Sequence, residues 1–226
     1  MIKTTDYVSM ITHEIRNPLT LVYSTVQLIE SKHPEVAQYE YWSDLHHDLD
    51  YMIKLLDELS SYNNSCRLHI KTIDSGFFFK KLSLSFAASI ASQNIEFVSK
   101  IDSDLPNIQC DEVKLREVFI NLLFNARDAV NEAYENHLCQ NPVIQMSISQ
   151  DSDHLKIVIK DNGCGIPKEK LTNIFEPFVT YKKHGTGLGL AIAASIIKSH
   201  HGTINVSSVP NSSTTFTLTL PIKQDS

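Results

Sequence analysis

The sequence predicts an α+β chain in two parts: an N-terminal antiparallel helical hairpin, then an α/β sandwich with a mixed sheet covered by helices on one face. Two observations support this. Over the first 65 residues, apolar side chains recur every three or four positions, the period of an amphipathic helix. Later residues form short alternating stretches separated by helical ones and glycine-rich loops, a pattern typical of a sheet with covering helices. We therefore predict domains at 1–65 and 66–226.

The hairpin is predicted from two apolar stripes joined by a short turn. Residues 7–31 and 36–62 have helical spacing, and Pro34 between them suits a turn or a first helical position. The stripes comprise Val8, Ile11, Ile15, Leu19, Val22, Val26 and Ile29, then Trp42, Leu45, Leu49, Met52, Ile53, Leu56 and Leu59. A single hairpin leaves its stripe half uncovered, so the economical solution is a four-helix bundle made by a homodimer.

The second part alternates strands and helices. Strands are predicted at 68–73, 95–101, 108–110, 143–149, 155–160, 203–208 and 214–220. Helices are predicted at 77–91, from a cap at Asp111 to about residue 135, and at 188–199. The strands at 143–149 and 155–160 are expected to form a hairpin across residues 150–153.

Composition restricts the class of protein. The 226 residues are 42% hydrophobic and 20% charged, which is ordinary for a globular chain, and no apolar run approaches the length of a membrane span. The net charge of −6 argues against nucleic-acid binding by charge alone. The four cysteines form no CxxC pair, and the N-terminus lacks a signal-peptide pattern. We expect a cytoplasmic chain with free thiols that does not itself contact a membrane, although a longer parent protein could be membrane-anchored.

The first motif with chemical potential is His13-Glu14 with Asn17. Ile11 and Ile15 share the apolar stripe, so His13 is expected to point away from it toward solvent. Glu14 can reach the imidazole Nδ1 and determine which nitrogen is nucleophilic, and Asn17 lies one turn beyond His13. The alternative is an ordinary surface pair of histidine and glutamate.

The second motif is a polar row on the long helix. Glu117, Asn121, Asn125 and Asp128 follow one another at spacings of four, four and three. Two amides one turn apart can hold a hydrated Mg²⁺ that carries phosphate ligands, because hard cations prefer oxygen donors. The alternative is a solvated helix face.

The third motif, Asp161-Asn-Gly163-Cys-Gly165-Ile-Pro167, follows a predicted strand. Asp161 offers a fixed acceptor for an exocyclic amine, and the two glycines allow a ligand to approach the backbone. The alternative is a tight hairpin turn.

The fourth motif, Gly185-Thr-Gly187-Leu188-Gly189-Leu, opens a helix, where exposed amide N–H groups can cradle phosphate oxygens. The segment before it contains Phe175-Glu-Pro-Phe178 and a basic tail, so the aromatic residues could anchor a lid over those phosphates. The alternatives are a chance glycine pattern and a packed surface loop.

Taken together and in this order, the motifs resemble the catalytic core of bacterial sensor histidine kinases across nearly the whole chain. The resemblance implies that 1–65 is a dimerisation and histidine-phosphotransfer domain and that 66–226 is an ATP-binding domain of the gyrase, Hsp90 and MutL kind. It implies ATP and Mg²⁺ as ligands. The implied partners are a second copy of the chain and the receiver domain of a response regulator.

The resemblance also implies residue roles. His13 would accept the phosphoryl group, Glu14 would activate it, Asn17 would position water for dephosphorylating the regulator, and Asn125 would bind Mg²⁺. The other implied nucleotide-site positions are Glu117, Asn121, Asp161, Gly163, Gly165, Phe178, Lys182, Gly185, Gly187, Leu188, Gly189 and Thr214. Asp161 and Thr214 would serve the adenine end, and Phe175 and Phe178 would hold the lid against the body.

One departure from the family pattern concerns charge. Many members carry a lysine or arginine three residues after the second asparagine, where it contacts phosphate, but this chain has Asp128 there, preceded by Arg127. The negative charge of the phosphates would then be neutralised by Arg127, Lys182 or Lys183 instead.

The function implied is an ATP-dependent protein-histidine kinase that phosphorylates His13, transfers the group to an aspartate of a response regulator and also dephosphorylates that regulator. One alternative is a phosphatase-dominant or scaffold member of the family. Another is a gyrase/Hsp90-type ATPase. That reading is disfavoured because those enzymes place a water-activating glutamate four residues before the metal-binding asparagine, where this chain has Asn121.

Overall fold

The computed structural model describes residues 4–182 and 185–223, with side chains from residue 10 onward. Its helices are α1 (Thr4–Lys32), α2 (Trp42–Asn64), α3 (Ser75–Ser89), α4 (Glu112–Glu135), α5 (Lys168–Leu171) and α6 (Gly189–Ser199). Its strands are β1 (Lys71–Asp74), β2 (Glu96–Ile101), β3 (Asn107–Cys110), β4 (Val143–Asp151), β5 (His154–Asp161), β6 (Thr203–Val209) and β7 (Ser213–Pro221). In the described part of the chain, no helix is both long enough and apolar enough to cross a membrane.

The N-terminal hairpin is antiparallel, as predicted. An ion pair joins Arg16 to Asp57 near one end, and His46 Nε2 lies 3.1 Å from Glu30 Oε2 near the other. The second helix begins later than predicted, at Trp42 rather than residue 36. A short 3₁₀ helix over Pro34–Gln38 comes first, and the extended backbone at Tyr39 separates it from α2. Pro34 suits the first position of the short helix because it lacks the N–H that a helix start leaves unpaired.

The main sheet has five strands in the order β2-β4-β5-β7-β6. The β2–β4 pair is parallel, and the other three pairs are antiparallel. The sheet is therefore mixed, as predicted. The turn between β4 and β5 is tighter than the predicted 150–153, because the strands pair up to Asp151 and His154. Ser152 makes this possible by adopting a positive φ of 55°.

A separate two-stranded sheet pairs β1 with β3. The predicted strand at 68–73 is thus shifted to 71–74, where Ile73 lies opposite Ile108. This small sheet leads directly into α3, whose N-cap Asp74 accepts a hydrogen bond from the backbone N–H of Phe77 at 2.8 Å. The short helix α5 was not expected from the sequence.

The core lies between one face of the main sheet and the helices α3, α4 and α6. Alternate residues of each central strand are fully buried, as in Ile144, Met146 and Ile148 of β4. An aromatic cluster joins α3 to α4, with the Phe79 and Phe119 ring centroids 5.1 Å apart. Burial of alternate residues places the core on one side of the sheet. All four cysteines are free thiols.

Helix α4, which carries the polar row, is fixed at its start. Asp111 caps it, accepting from the backbone N–H of Lys114 at 3.0 Å and of His69 at 2.8 Å. The Asp111 N–H in turn donates to Nε2 of the buried His200 at 3.0 Å. The predicted cap therefore also ties α4 to the end of α6 and to the chain leaving the hairpin.

Candidate functional site

A cleft of about 800 Å³ opens between α4, the ends of β5 and β7, and the start of α6. The segment 175–182, which we call the lid segment, forms another wall. Helix α2 of the hairpin contributes Lys54 and Glu58 to the lining. The cleft therefore contains residues from both parts of the chain.

One buried polar group of the cleft is Asp161, at the end of β5. The side chain is 3% exposed, and its Oδ1 accepts from the backbone N–H of Gly163 at 2.9 Å. Burial raises the pKa of Asp161 to about 6, although hydrogen bonds from the backbones of Gly163 and Thr214 oppose that shift. Near neutral pH, the group is a largely ionised acceptor with a fixed direction, suited to a ligand amine.

Two glycines shape the cleft walls. Gly165 has a φ of +66°, and a Cβ there would lie 2.2 Å from the carbonyl oxygen of Val209. Gly187 has a φ of +71°, and its Cβ would lie 2.5 Å from the carbonyl carbon of Phe178. Any side chain at these positions would push the neighbouring backbone away, so both motifs depend on glycine for their packing.

Three of the four residues of the polar row on α4 line the cleft, and the first, Glu117, does not. Asn121, Asn125 and Asp128 line the cleft, and Asn121 Nδ2 donates to the carbonyl oxygen of Gly189 at 3.4 Å. Glu117 does not line it. Its carboxylate instead accepts from the hydroxyl of Ser61 on α2 and from Lys114. Glu117 thus links the two parts of the chain in this arrangement.

Lys182 of the lid segment reaches across the cleft to α4. Its Nζ donates to Asn125 Oδ1 at 2.9 Å and to Asp128 Oδ2 at 2.8 Å. Arg127 binds the other oxygen of Asp128 at 2.7 Å. Burial opposes ionisation of Asp128, but the hydrogen bonds from Lys182 and Arg127 outweigh it and lower the pKa. Lys183, the third candidate cation, lies outside the described residues.

The lid segment is anchored by one aromatic residue rather than two. The Phe175 ring packs edge-on against Phe216, with centroids 6.4 Å apart. The Phe178 side chain is 61% exposed, and this residue contacts the body through its backbone N–H, which donates to the carbonyl oxygen of Gly187 at 3.0 Å. The expectation that both rings hold the lid is therefore wrong for Phe178, whose positive φ of 65° turns the chain there.

Most of the other predicted nucleotide-site residues line the cleft, and two of them, Leu188 and Gly163, support its walls without lining it. Cleft-lining positions are Gly165, Gly185, Gly187, Gly189 and Thr214. Leu188 is fully buried in the core, so it supports the glycine motif from behind. Gly163 contributes its backbone N–H to Asp161 without lining the cleft.

His13, Glu14 and Asn17 lie elsewhere, exposed on α1. None of these three residues lines the cleft. The structure therefore keeps the histidine motif apart from the three motifs that build the cleft.

Glu58 and Thr186 form a contact that sequence reasoning missed. The Thr186 hydroxyl donates to Glu58 Oε2, which joins α2 to the glycine motif. Thr186 lies inside a motif that the sequence singled out, but Glu58 carries no signal of its own. The two residues are 128 positions apart, and only the docking of α2 brings them together.

The site fits a divalent cation. Asn125 and Asp128 offer an amide and a carboxylate oxygen, and in this structure the ammonium group of Lys182 already stands between the two. Oxygen donors of this kind suit Mg²⁺.

Comparison with known proteins agrees with the fold. Residues 110–224 match the family described as "Histidine kinase-, DNA gyrase B-, and HSP90-like ATPase", and residues 4–64 match the "His Kinase A (phospho-acceptor) domain". Signal transduction histidine-protein kinase AtoS of Escherichia coli K12 is 32% identical over 94% of this chain and 34% of its own length.

Two solved structures share the fold. Full-length ShkA in complex with AMPPNP is 21% identical, with a TM-score of 0.78 over 99% of this chain and 47% of that one. Histidine kinase ThkA in complex with response regulator protein TrrA is 23% identical, with a TM-score of 0.66 over 96% of this chain and 61% of that one.

Sporulation kinase C of Bacillus subtilis 168 is 30% identical over 99% of this chain. The chain covers 34% of the length of AtoS and 50% of the length of Sporulation kinase C, so it corresponds to part of each. The two family regions occur in the order that the sequence motifs predicted. The chain therefore belongs to the histidine kinase-, DNA gyrase B- and HSP90-like ATPase family, and its phospho-acceptor and ATPase regions together form a histidine kinase catalytic core.

Proposed function

We propose that this chain is an ATP-dependent protein-histidine kinase that phosphorylates its own His13 and passes the phosphoryl group to an aspartate of a response regulator. The observation that carries the proposal is the cleft, which combines a buried acceptor at Asp161 with the amide oxygen of Asn125 on the facing helix. An exposed histidine on the same chain supplies the acceptor nucleophile.

In this proposal ATP lies along the cleft. Asp161 accepts from the adenine amino group, and Thr214 supports that end. The phosphates lie against Gly185, Gly187 and Gly189 at the start of α6, where backbone N–H groups and the helix dipole favour negative charge. Asn125 holds Mg²⁺, which when bound neutralises phosphate charge.

The transfer step uses groups of the hairpin. A nitrogen of His13 forms a bond to the γ-phosphorus, the bond from that phosphorus to the bridging oxygen breaks, and ADP leaves. Glu14 orients the imidazole and takes its proton. Because His13 does not line the cleft of its own chain, transfer requires either a movement of the hairpin relative to the nucleotide domain or the approach of His13 from a second copy of the chain.

The partners follow from the exposed hairpin. ThkA, a structural neighbour, was solved with the response regulator TrrA, which supports a receiver domain as the partner of this chain. We propose that the receiver binds near His13 and that Asn17, one turn further along α1, positions the water that dephosphorylates its aspartate.

A second copy of the chain is the other proposed partner. Ile11, Ile15 and Val22 on α1 and Met52 on α2 are large apolar side chains that remain exposed in the single chain. They belong to the predicted stripes, so pairing two hairpins would bury them in a four-helix bundle. We keep the domain boundary between residues 65 and 66 as part of this proposal, because α2 ends at Asn64.

The test is incubation of the purified chain with γ-labelled ATP and Mg²⁺. We expect an acid-labile, alkali-stable label on the wild type and on His33→Ala, and none on His13→Ala. His33 is a suitable control because it is another exposed histidine of the same hairpin, with Glu35 Oε1 3.0 Å from its Nδ1. A label that persists in His13→Ala contradicts the proposal.

The remaining candidates give other results in the same assay. Phosphate release without protein label would favour the gyrase-type ATPase. Nucleotide binding with neither label nor phosphate release would favour a scaffold or phosphatase-dominant member.

A further inference from the structure

Lys182 of the lid segment places its ammonium group between two side-chain oxygens of the polar row on α4. Asn125 Oδ1 and Asp128 Oδ2 lie 2.9 and 2.8 Å from the same atom, Nζ of Lys182. The two residues are three positions apart on α4, so their side chains leave the helix on the same face. Because one ammonium nitrogen satisfies both oxygens, they converge on a single cation position.

Asp128 is held in the orientation that this position needs. Arg127 donates to Asp128 Oδ1 from Nε at 3.1 Å and from Nη2 at 2.7 Å. The guanidinium group itself stacks on the Phe124 ring, 4.5 Å from its centroid. The second oxygen of Asp128 is therefore the one left to face the cleft, and Lys182 occupies it.

The contact is local to the nucleotide cleft. Asn125, Asp128 and Lys182 all line it, and Lys182 and Asp128 remain about half exposed, with side-chain accessibilities of 44% and 41%. Ion pairs at this level of exposure contribute little to stability. The arrangement is therefore easily displaced by a cation of higher charge.

We propose that Asp128 is a further metal-positioning residue, which together with Asn125 forms the divalent-cation position, and that the Lys182 ammonium group holds this position until Mg²⁺-nucleotide replaces it. The inference rests on the proposed function only in taking a Mg²⁺-nucleotide as the ligand. The Asp128 carboxylate then serves two ligands in turn: it accepts from Lys182 in this structure, and it would bind Mg²⁺ when the metal–nucleotide enters the cleft.

The first test measures how much Mg²⁺ improves nucleotide affinity. Binding of AMPPNP is titrated calorimetrically in Mg²⁺ and in EDTA, for the wild type and for Asp128→Asn. We expect the gain in affinity from Mg²⁺ to fall about tenfold or more in Asp128→Asn, the usual effect of removing a group that supports a metal. Affinity in EDTA should not fall, since the variant removes a negative charge near the phosphates.

The control is Glu135→Gln, which removes a negative charge from an exposed residue of the same helix outside the cleft. It should leave the gain from Mg²⁺ unchanged. An unchanged gain in Asp128→Asn, with the variant shown by circular dichroism to be folded, would overturn the proposal.

The second test follows the displaced lysine. In Lys182→Met no ammonium group competes for the two oxygens, so the Mg²⁺ concentration that gives half-maximal AMPPNP binding should fall about threefold, as expected for loss of one exposed charge contact. Lys168→Met, which removes an exposed lysine outside the cleft, should leave it unchanged. A rise or no change in Lys182→Met contradicts the exchange.

Neither test depends on phosphorylation of His13. If the wild type labels His13 but Asp128→Asn keeps the full gain from Mg²⁺, the metal-positioning role fails alone. If Asp128→Asn loses the gain but the wild type never labels His13, the kinase proposal fails alone. A wild type that binds no AMPPNP overturns both.

Discussion

The helical hairpin and the nucleotide domain bury their apolar residues to very different extents. On α1, Ile15 and Val22 each remain 49% exposed, and within the hairpin interface Val26 and Leu49 are among the few buried apolar residues. In the nucleotide domain, Phe119, like the other central side chains of α4, is fully buried. The nucleotide domain therefore completes its own core, whereas the hairpin leaves an apolar surface exposed, which the proposed pairing with a second hairpin would cover.

The proposed reaction needs a rigid nucleotide site and an accessible acceptor histidine, and the two regions supply one each. The nucleotide site is built on the domain with the complete core, where Asp161 and the glycine motifs are held by buried strands and helices. The proposed acceptor His13 lies on the hairpin, exposed and away from the cleft. Residues that must be held fixed lie on the well-packed domain, and the residue that must meet different partners lies on the open one.

The largest expected effect comes from the complete core. Phe119→Ala should lower the free energy of unfolding of the nucleotide domain by about 3–5 kcal/mol, because it leaves a cavity where Phe78 and Phe79 now pack against the ring. The chain has a single tryptophan, Trp42 on α2, so fluorescence reports on the hairpin and circular dichroism on both parts.

Urea unfolding followed by both probes would then show the dichroism transition moving to lower urea while the tryptophan transition moves less. If both transitions moved by the same amount, the hairpin and the nucleotide domain would unfold as one unit. The nucleotide domain would then not be stabilised by a core separate from the hairpin.

A second, intermediate effect is expected on the hairpin. Ile15→Lys should weaken the dimer about a hundredfold, because each hairpin would bring a charge to the bundle core. Nucleotide affinity should be unchanged. Sedimentation equilibrium gives the dissociation constant, with Ile70→Lys as the control, an exposed isoleucine outside the hairpin. Equal dimerisation of Ile15→Lys and the control would show that the exposed stripe is not the dimer contact.

The smallest expected effect concerns pH and the nucleotide site. Burial raises the pKa of Asp161 above its ordinary value of 3.8 to about 6, so the ionised form is disfavoured in the folded state. Stability that is present at pH below 3.8 is therefore lost as the pH rises through about 6. Of this loss, about 1.4 kcal/mol, the free energy of one pKa unit, falls between pH 5 and pH 8.

Asp161→Asn removes that charge, so its melting temperature should exceed that of the wild type by more at pH 8 than at pH 5, while its ATP affinity falls. The exposed Asp102→Asn serves as the control. The same melting difference at both pH values would contradict a buried, pKa-raised carboxyl.

The sequence predicted the motifs and elements whose signals are local. The cap at Asp111, the period of α4 and the polar row at Asn121 and Asn125 depend on residues within a few turns of each other. It failed at Phe178 and at the first residues of α2. At both places the backbone leaves its regular conformation, and an aromatic or helical pattern does not reveal such a change.

By itself, then, the sequence determined the two-part organisation, the four motifs and their order, because periodicity and short motifs are local properties of the chain. Only the tertiary structure decided that Lys182 bridges Asn125 and Asp128, that Glu58 meets Thr186 and that Glu117 faces Ser61 rather than the cleft. Each of these contacts joins residues more than 50 positions apart. Their geometry depends on how the lid segment and α2 dock onto α4 and α6, which no local pattern in the sequence encodes.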